Sequence, residues 1–186
     1  MTGKERMLTA LERRQPDRVP VFELAYNEPS IIGIASHFTD KLPPLKPASE
    51  MSPQELFQIF EALVLFIEEL EIEGVTTRVL ERQEPMGDGY FKNRWGVVLK
   101  QNPFGLAFPM EGPIKSAADL KGFQPPKVDA DVDLMMLGMA KARLGSNHAI
   151  IFSAHDCFVP SWQLRGGLEY LLMDYMDDPQ LAHDLA

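Results

Sequence analysis

Thiols are nearly absent from this chain: its 186 residues include one cysteine, Cys157. A single thiol excludes an internal disulfide and suits a reducing cytoplasm, the expected location. Long apolar runs are also missing. None approaches the ~18 residues that a membrane span requires, so no membrane partner is expected. The opening "MTGKERMLTALERRQPDRVPV" lacks the apolar stretch of a secretory signal. Positive charge is scarce, with 18 Lys and Arg against 27 Asp and Glu, a net charge of −9. A surface of that sign repels phosphate backbones, which disfavours nucleic acid as a partner. It gives an anionic small molecule no long-range help either; such a ligand would need local arginines. Internal repeats and low-complexity tracts are absent.

What is present alternates between helix and strand signals. Thr2-Gly3-Lys4-Glu5 reads as a capping box, with Met7, Leu8 and Leu11 on one helical face and Pro16 as terminator. Residues 19–24 are a short apolar run suited to a first strand. Residues 27–51, rich in proline and polar side chains, read as a long connection. Ser52-Pro53-Gln54-Glu55 opens a second helix, whose broad apolar face runs from Leu56 to Leu70 and which Gly74 is placed to end. Residues 75–81, "VTTRVLE", are a β-branched second strand. Residues 89–109 hold two extended pieces parted by Gln-Asn-Pro and read as a β-hairpin. A capped turn at "SAADLKG" and the linker "FQPPKVDAD" come next. Residues 131–144 then suit a helix closed by Gly145, with Lys141 and Arg143 in its last turn. "HAIIFSA" is a strand, and the remainder is helical with a break at Asp178-Pro179.

Three stretches together resemble the uroporphyrinogen decarboxylase superfamily, which includes the cobalamin-dependent methyltransferases. They are "GKERMLTALERRQPDRVPV", "KNRWGVVLK" with "PIKSAADLKGFQPPKVD" after it, and "FSAHDCFVPSWQLRGGLEYLLMDYMDDPQ". The resemblance implies a (β/α)8 TIM barrel, which typically needs about 250 residues and builds its site at the C-terminal ends of its strands. Residues 1–186 are therefore expected to be the N-terminal half of a single barrel domain. That half would be a partial barrel with parallel strands, flanking helices and an inserted hairpin. An open strand edge is a liability in water, so the missing half or self-association is expected to cover it.

Within that family the resemblance favours the methyltransferase branch. The decarboxylase carries an arginine pair after its first strand to hold the carboxylates of uroporphyrinogen, and here Ala25 and Pro29 stand at those positions. Its aspartate after the second strand corresponds to Glu81, and a later tyrosine corresponds to Trp162. Methyl transfer linked to a corrinoid and a thiol, or to a small methylated substrate, is the first expectation. Uroporphyrinogen III decarboxylation in tetrapyrrole biosynthesis is the second, and a non-catalytic half-barrel or binding module the third. The chain by itself is expected to be inactive.

The candidate site residues are Glu81 and His155 as catalytic groups, with Arg82, Asp156 and Trp162 for substrate. Zinc and a corrinoid, or a corrinoid protein as partner, are implied for the full-length protein. In the methyltransferases the His-x-Cys ligands lie in the second half of the barrel. The "HDC" of His155 and Cys157 copies that spacing but falls earlier, and two ligands leave a zinc site short. Plainer roles compete for several of these residues. Cys157 suits a small packed hydrophobe at a strand end, and Glu81 could pair with Arg78 or Arg82. The "EELEIE" cluster, residues 68–73, reads as a solvated helix end. Trp95 suits a packing anchor, and the methionines of residues 133–141 suit core filling. His37, His148 and His183 join no constellation.

Overall fold

A computed structural model describes residues 1–46, 50–79, 83–102 and 106–186. The chain divides into two compact units, Met1–Leu80 with Asp129–Ser153, and Glu81–Val128 with Ala154–Ala186.

The first unit opens with α1 (Gly3–Leu11), capped by the expected reciprocal bonds between Thr2 and Glu5. The helix stops at Leu11, before Pro16, and Arg13 takes a left-handed conformation just beyond it. It buries Arg6 and Met7, whereas Leu8 and Leu11 are exposed. Of the anticipated apolar face only Met7 is buried, because α1 is anchored through Arg6. Strand β1 shrinks to Phe22–Glu23. Just before it, the Val21 N–H donates to the Glu73 carboxylate at 2.6 Å. The Val21 carbonyl accepts from the Glu73 N–H at 2.9 Å.

The supposed connection after residue 27 contains a helix, α2 (Glu28–Ala35). Asn27 Oδ1 accepts from the Ser30 N–H, and Pro29 sits in the first turn, where no N–H is needed. Helix α3 (Pro53–Glu69) comes next, with the Ser52–Glu55 capping box in place. It buries Phe60, Val64, Phe66 and Ile67, while Leu56, Phe57 and Leu70 stay exposed. Gly74 does not end this helix: Glu71 turns the chain with a positive φ, and Gly74 begins β2 (Gly74–Arg78). A side chain at Gly74 would crowd Ile151 Cδ1 and Phe22 Cβ, at 3.1 and 3.5 Å from its Cβ.

The chain then enters the second unit through an antiparallel meander: β3 (Gln83–Gly87), β4 (Tyr90–Asn93), β5 (Val98–Gln101) and β6 (Ala107–Glu111). The expected hairpin is present as the antiparallel pair β5–β6, and β3 and β4 extend it to four strands. Asp88 and Gly89 turn with positive φ between β3 and β4. Asn93 Oδ1 accepts from the Trp95 and Val97 N–H groups at 3.0 Å, folding one supposed extended piece in two at Gly96. After β6 comes α4 (Ala117–Gly122), capped by Ser116.

Back in the first unit, the expected single helix is α5 (Ala130–Asp133) and α6 (Met135–Leu144), interrupted at Leu134. Strand β7 (Ala149–Ser153) completes a parallel sheet of order β1-β2-β7. The register sets Phe22 beside Gly74, and Val75, Thr77 and Arg78 beside Ile150, Phe152 and Ser153. Val75 and Ile150 join Phe60, Phe66, Ile67, Ala140 and Leu144 in one core, so α2, α3 and α6 cover one face of the sheet. Because successive side chains alternate, Phe22, Gly74, Thr76, Arg78, Ile151 and Ser153 belong to the opposite face. The architecture is mixed α/β, with a parallel three-stranded sheet and a separate antiparallel one.

The second unit finishes with α7 (Phe158–Arg165), α8 (Leu168–Asp177) and α9 (Pro179–Leu185). Its core gathers Phe91, Val97, Leu99, Ile114, Leu164 and Leu181, with Trp95 packed against them. Gly112 and Gly166 let two backbones touch, since a Cβ on either would strike the other segment's main chain. The Ile114 N–H donates to the Leu164 carbonyl at 3.0 Å across that contact. Arg165 holds Asp174 through Nε at 2.6 Å and the Ile114 carbonyl through Nη1 at 2.8 Å. Among the described residues no helix is long and apolar enough to cross a membrane.

Candidate functional site

The three parallel strands all end at one edge: β1 at Glu23, β2 at Arg78 and β7 at Ser153. Two side-chain bonds stitch this region. Thr76 Oγ1 donates to the Glu23 carbonyl at 3.3 Å, and Thr77 Oγ1 to the Ile151 carbonyl at 3.4 Å. Arg78 and Ser153 are register partners. Arg78 is exposed, and its side chain takes part in no hydrogen bond or ion pair with another described residue; the anticipated pairing with Glu81 lies outside the described residues.

The sequence-derived candidates fall in three places. Glu81 and Arg82 lie outside the described residues. His155, Asp156 and Cys157 come after β7 in the chain and are all exposed. Asp156 Oδ1 accepts from the Phe158 N–H at 3.1 Å, which makes it a helix-start acceptor for α7. Cys157 stands at the cap position with helical dihedrals and no capping bond from its side chain. Its exposure corrects the idea of a packed small hydrophobe; the turn into α7 carries it outward with its neighbours. Trp162 lies farther along α7 and is half-buried. The described residues bring together no group of three His, Cys, Asp or Glu side chains able to hold a metal ion.

The opposite, N-terminal ends of the strands carry a charge network that residue patterns do not suggest. Glu73, anticipated as part of a solvated cluster, is 1% exposed. Its carboxylate receives Arg6 Nη1 at 2.9 Å, Arg18 Nη2 at 2.8 Å and the Val21 N–H. Burial pushes this carboxyl up. The Val21 N–H and the Arg18 and Arg6 charges more than offset that, leaving it below its ordinary value. Arg6 also grips Asp17 through Nε at 2.6 Å and Nη2 at 3.0 Å, and these bonds hold Asp17 well below the usual carboxylate range. One arginine on α1 thereby fixes both the chain leading into β1 and the residue preceding β2. The sequence signal is weak: an arginine beside Met7 on a capped helix looks like an exposed residue until its partner is located.

His37 finds a place that its sequence context does not reveal. It lines an open hollow of about 520 Å³ with Ser30, Gly33, Ile34, Phe38 and Leu70. The lining is mostly apolar, with an imidazole and a hydroxyl as its polar side chains.

No protein-family model, curated protein or solved structure matches the chain.

Proposed function

We propose that this chain is the N-terminal part of a (β/α)8 barrel of the uroporphyrinogen decarboxylase superfamily. We infer that the complete barrel transfers a methyl group between a corrinoid and a thiol or small methylated substrate, in the cytoplasm. One observation carries the fold: the parallel strands keep chain order, β1-β2-β7, with α2, α3 and α6 against one face. Each crossover adds a strand in the same direction, as a closing barrel requires, whereas a doubly wound sheet reverses direction at a switch point. The edge where Glu23, Arg78 and Ser153 end is then the substrate-facing rim. The buried Glu73 network at the opposite, N-terminal ends belongs to stability.

The choice of methyl transfer rests on the segment after β1. Ala25 and Pro29 stand where the family's decarboxylase has its arginine pair, and Pro29 is part of the first turn of α2. Neither residue can pair with a carboxylate, so a polyanionic porphyrinogen loses its main anchor. Glu81 and His155 remain the acid–base candidates, and Arg82, Asp156 and Trp162 the substrate-contact candidates. His155 and Cys157 do not complete a zinc site by themselves, and no step passes through zinc on these residues. In the family resemblance that metal belongs to the other half of the barrel.

The deciding experiment uses the polypeptide encoded by the whole reading frame, supplied with zinc. One arm contains methylcobalamin and a set of small thiols, monitored by the corrinoid absorbance and by mass spectrometry of the thioether. The other contains uroporphyrinogen III, monitored by chromatography of the oxidised porphyrins. Thioether formation without decarboxylation is expected. Decarboxylation would overturn the methyl-transfer reading, and inactivity in both arms would favour a non-catalytic barrel.

A further inference from the structure

We propose that Arg78 and Ser153 form an oxyanion seat at the strand edge, and that the ligand it takes is a small monoanion with an apolar body. This rests on the reading of that edge as the substrate-facing rim and adds to it the class of molecule received.

Charge balance and position together single out Arg78. Arg6 and Arg18 are neutralised by Glu73, Arg14 by Glu12, and Arg143 by Glu61; Arg13 also lacks a partner among the described residues, but it lies beyond the end of α1, whereas Arg78 ends a strand of the parallel sheet. Arg78 has no such partner among the described residues, although the chain carries 27 acidic side chains against 18 basic ones. It is the last residue of β2, on the sheet face opposite α2, α3 and α6. A guanidinium so placed presents a planar fork suited to two oxygens of a carboxylate or sulfonate.

Its surroundings refine the ligand. Ser153 stands beside Arg78 in the parallel register and adds a hydroxyl donor on the same face. Below them lies Thr76, whose hydroxyl is committed to the Glu23 carbonyl at 3.3 Å, which leaves its methyl as the available surface. Farther down the same face come Ile151 and Phe22, which close over Gly74. The face therefore runs from a cation and a hydroxyl at the edge to hydrocarbon beneath. A net charge of −9 opposes polyanions at long range, so one local arginine favours a single negative charge over many.

The test measures binding and is separate from activity. The Nε signal of Arg78 is monitored by NMR while butyrate, butanesulfonate or citrate is titrated into the protein. Saturable shifts with butyrate and butanesulfonate are expected at millimolar concentrations, with weaker binding of citrate. Arg78→Gln should weaken binding about tenfold, and Arg78→Lys should restore only part of it. Ser153→Ala should weaken it about threefold. Thermal melts establish that each variant is folded, and Arg13, exposed beyond α1, serves as the control arginine. A linear, unsaturated response at Arg78, a response equal to that of Arg13, or unchanged binding in Arg78→Gln would overturn the proposal. Binding without methyl transfer would sink the activity and leave the seat standing; methyl transfer without Arg78-dependent binding would do the reverse.

Discussion

The two sheets are assembled from opposite kinds of contact. In the parallel sheet Phe22 meets Gly74, and Gly74 meets Ala149, so each pairing spans a long excursion of the chain. In the meander each strand pairs with the next, through turns at Asp88-Gly89 and Asn93–Gly96. Their burial differs in the same sense. Strand β2 buries Gly74, Val75 and Thr77, whereas β3 is exposed throughout and the meander's core contacts come from Phe91 and Leu99. A parallel sheet depends on its covering helices, while an antiparallel one tolerates a solvated face. The difference teaches a division of labour. Helix packing and the Glu73 network hold the parallel strands, which leaves their C-terminal edge free to carry groups such as Arg78 that contribute nothing to the core.

This contrast can be broken in three ways, beginning with the largest effect. Phe66 is fully buried in the first core and meets the Tyr26 ring edge-on at 5.0 Å. Phe66→Ala should cost about 3–5 kcal/mol of stability. Hydrogen exchange should then accelerate at Val75 and Thr77 more than at Phe91 and Leu99. Equal acceleration would mean that the two cores unfold together, and the contrast would fail.

Glu73→Gln should cost about 3 kcal/mol, because Arg6 and Arg18 lose a buried counter-charge. The carboxyl of Glu73 lies below its ordinary value in the folded protein. Its contribution is therefore complete above the unfolded glutamate value, near 4.5, and is lost as pH falls through the folded one. The melting-temperature gap between wild type and variant should be constant at neutral pH and narrow on acidification. A gap independent of pH would remove Glu73 as the organising charge.

The smallest effect belongs to the second unit. Gly112→Ala puts a methyl group against the Leu164 carbonyl and the Gly166 N–H. The backbone must shift, at about 1–3 kcal/mol. Here exchange should accelerate at Ile114 and Phe91 before Val75, the mirror of the Phe66 result.

Local chemistry is the legible part. Thr2 and Ser52 announce their helices because a capping box needs only residues three apart in the chain. The strand at 149–153 and the stop at Asp178-Pro179 are readable for the same reason. Helix α2 is hidden in the sequence even though Asn27 and Pro29 form a start signal, because the proline-rich stretch after it dominates the window. The four-stranded meander reads as a hairpin since the turn at "NRWG" interrupts an otherwise extended run without a proline. Of the candidate site, the strand ends are legible as positions, but their chemistry is not. In the sequence Arg78 suggests only a partner for Glu81, and Asp156 turns out to serve the start of α7.

What the amino-acid order determined alone is the capping-box helix starts at Thr2 and Ser52, the β-branched strands and the charge balance; the first two depend on neighbours within a few residues, the last on composition. Tertiary structure decided which of several similar residues matters. Glu73 is buried and Glu71 is not, and Arg6 is doubly held while Arg78 has no partner among the described residues. Gly112 meets backbone where Gly122 meets open space. The reason is physical: burial and ion pairing are set by which distant segments meet, and strand pairings such as Gly74 with Ala149 bring together residues that no local pattern connects.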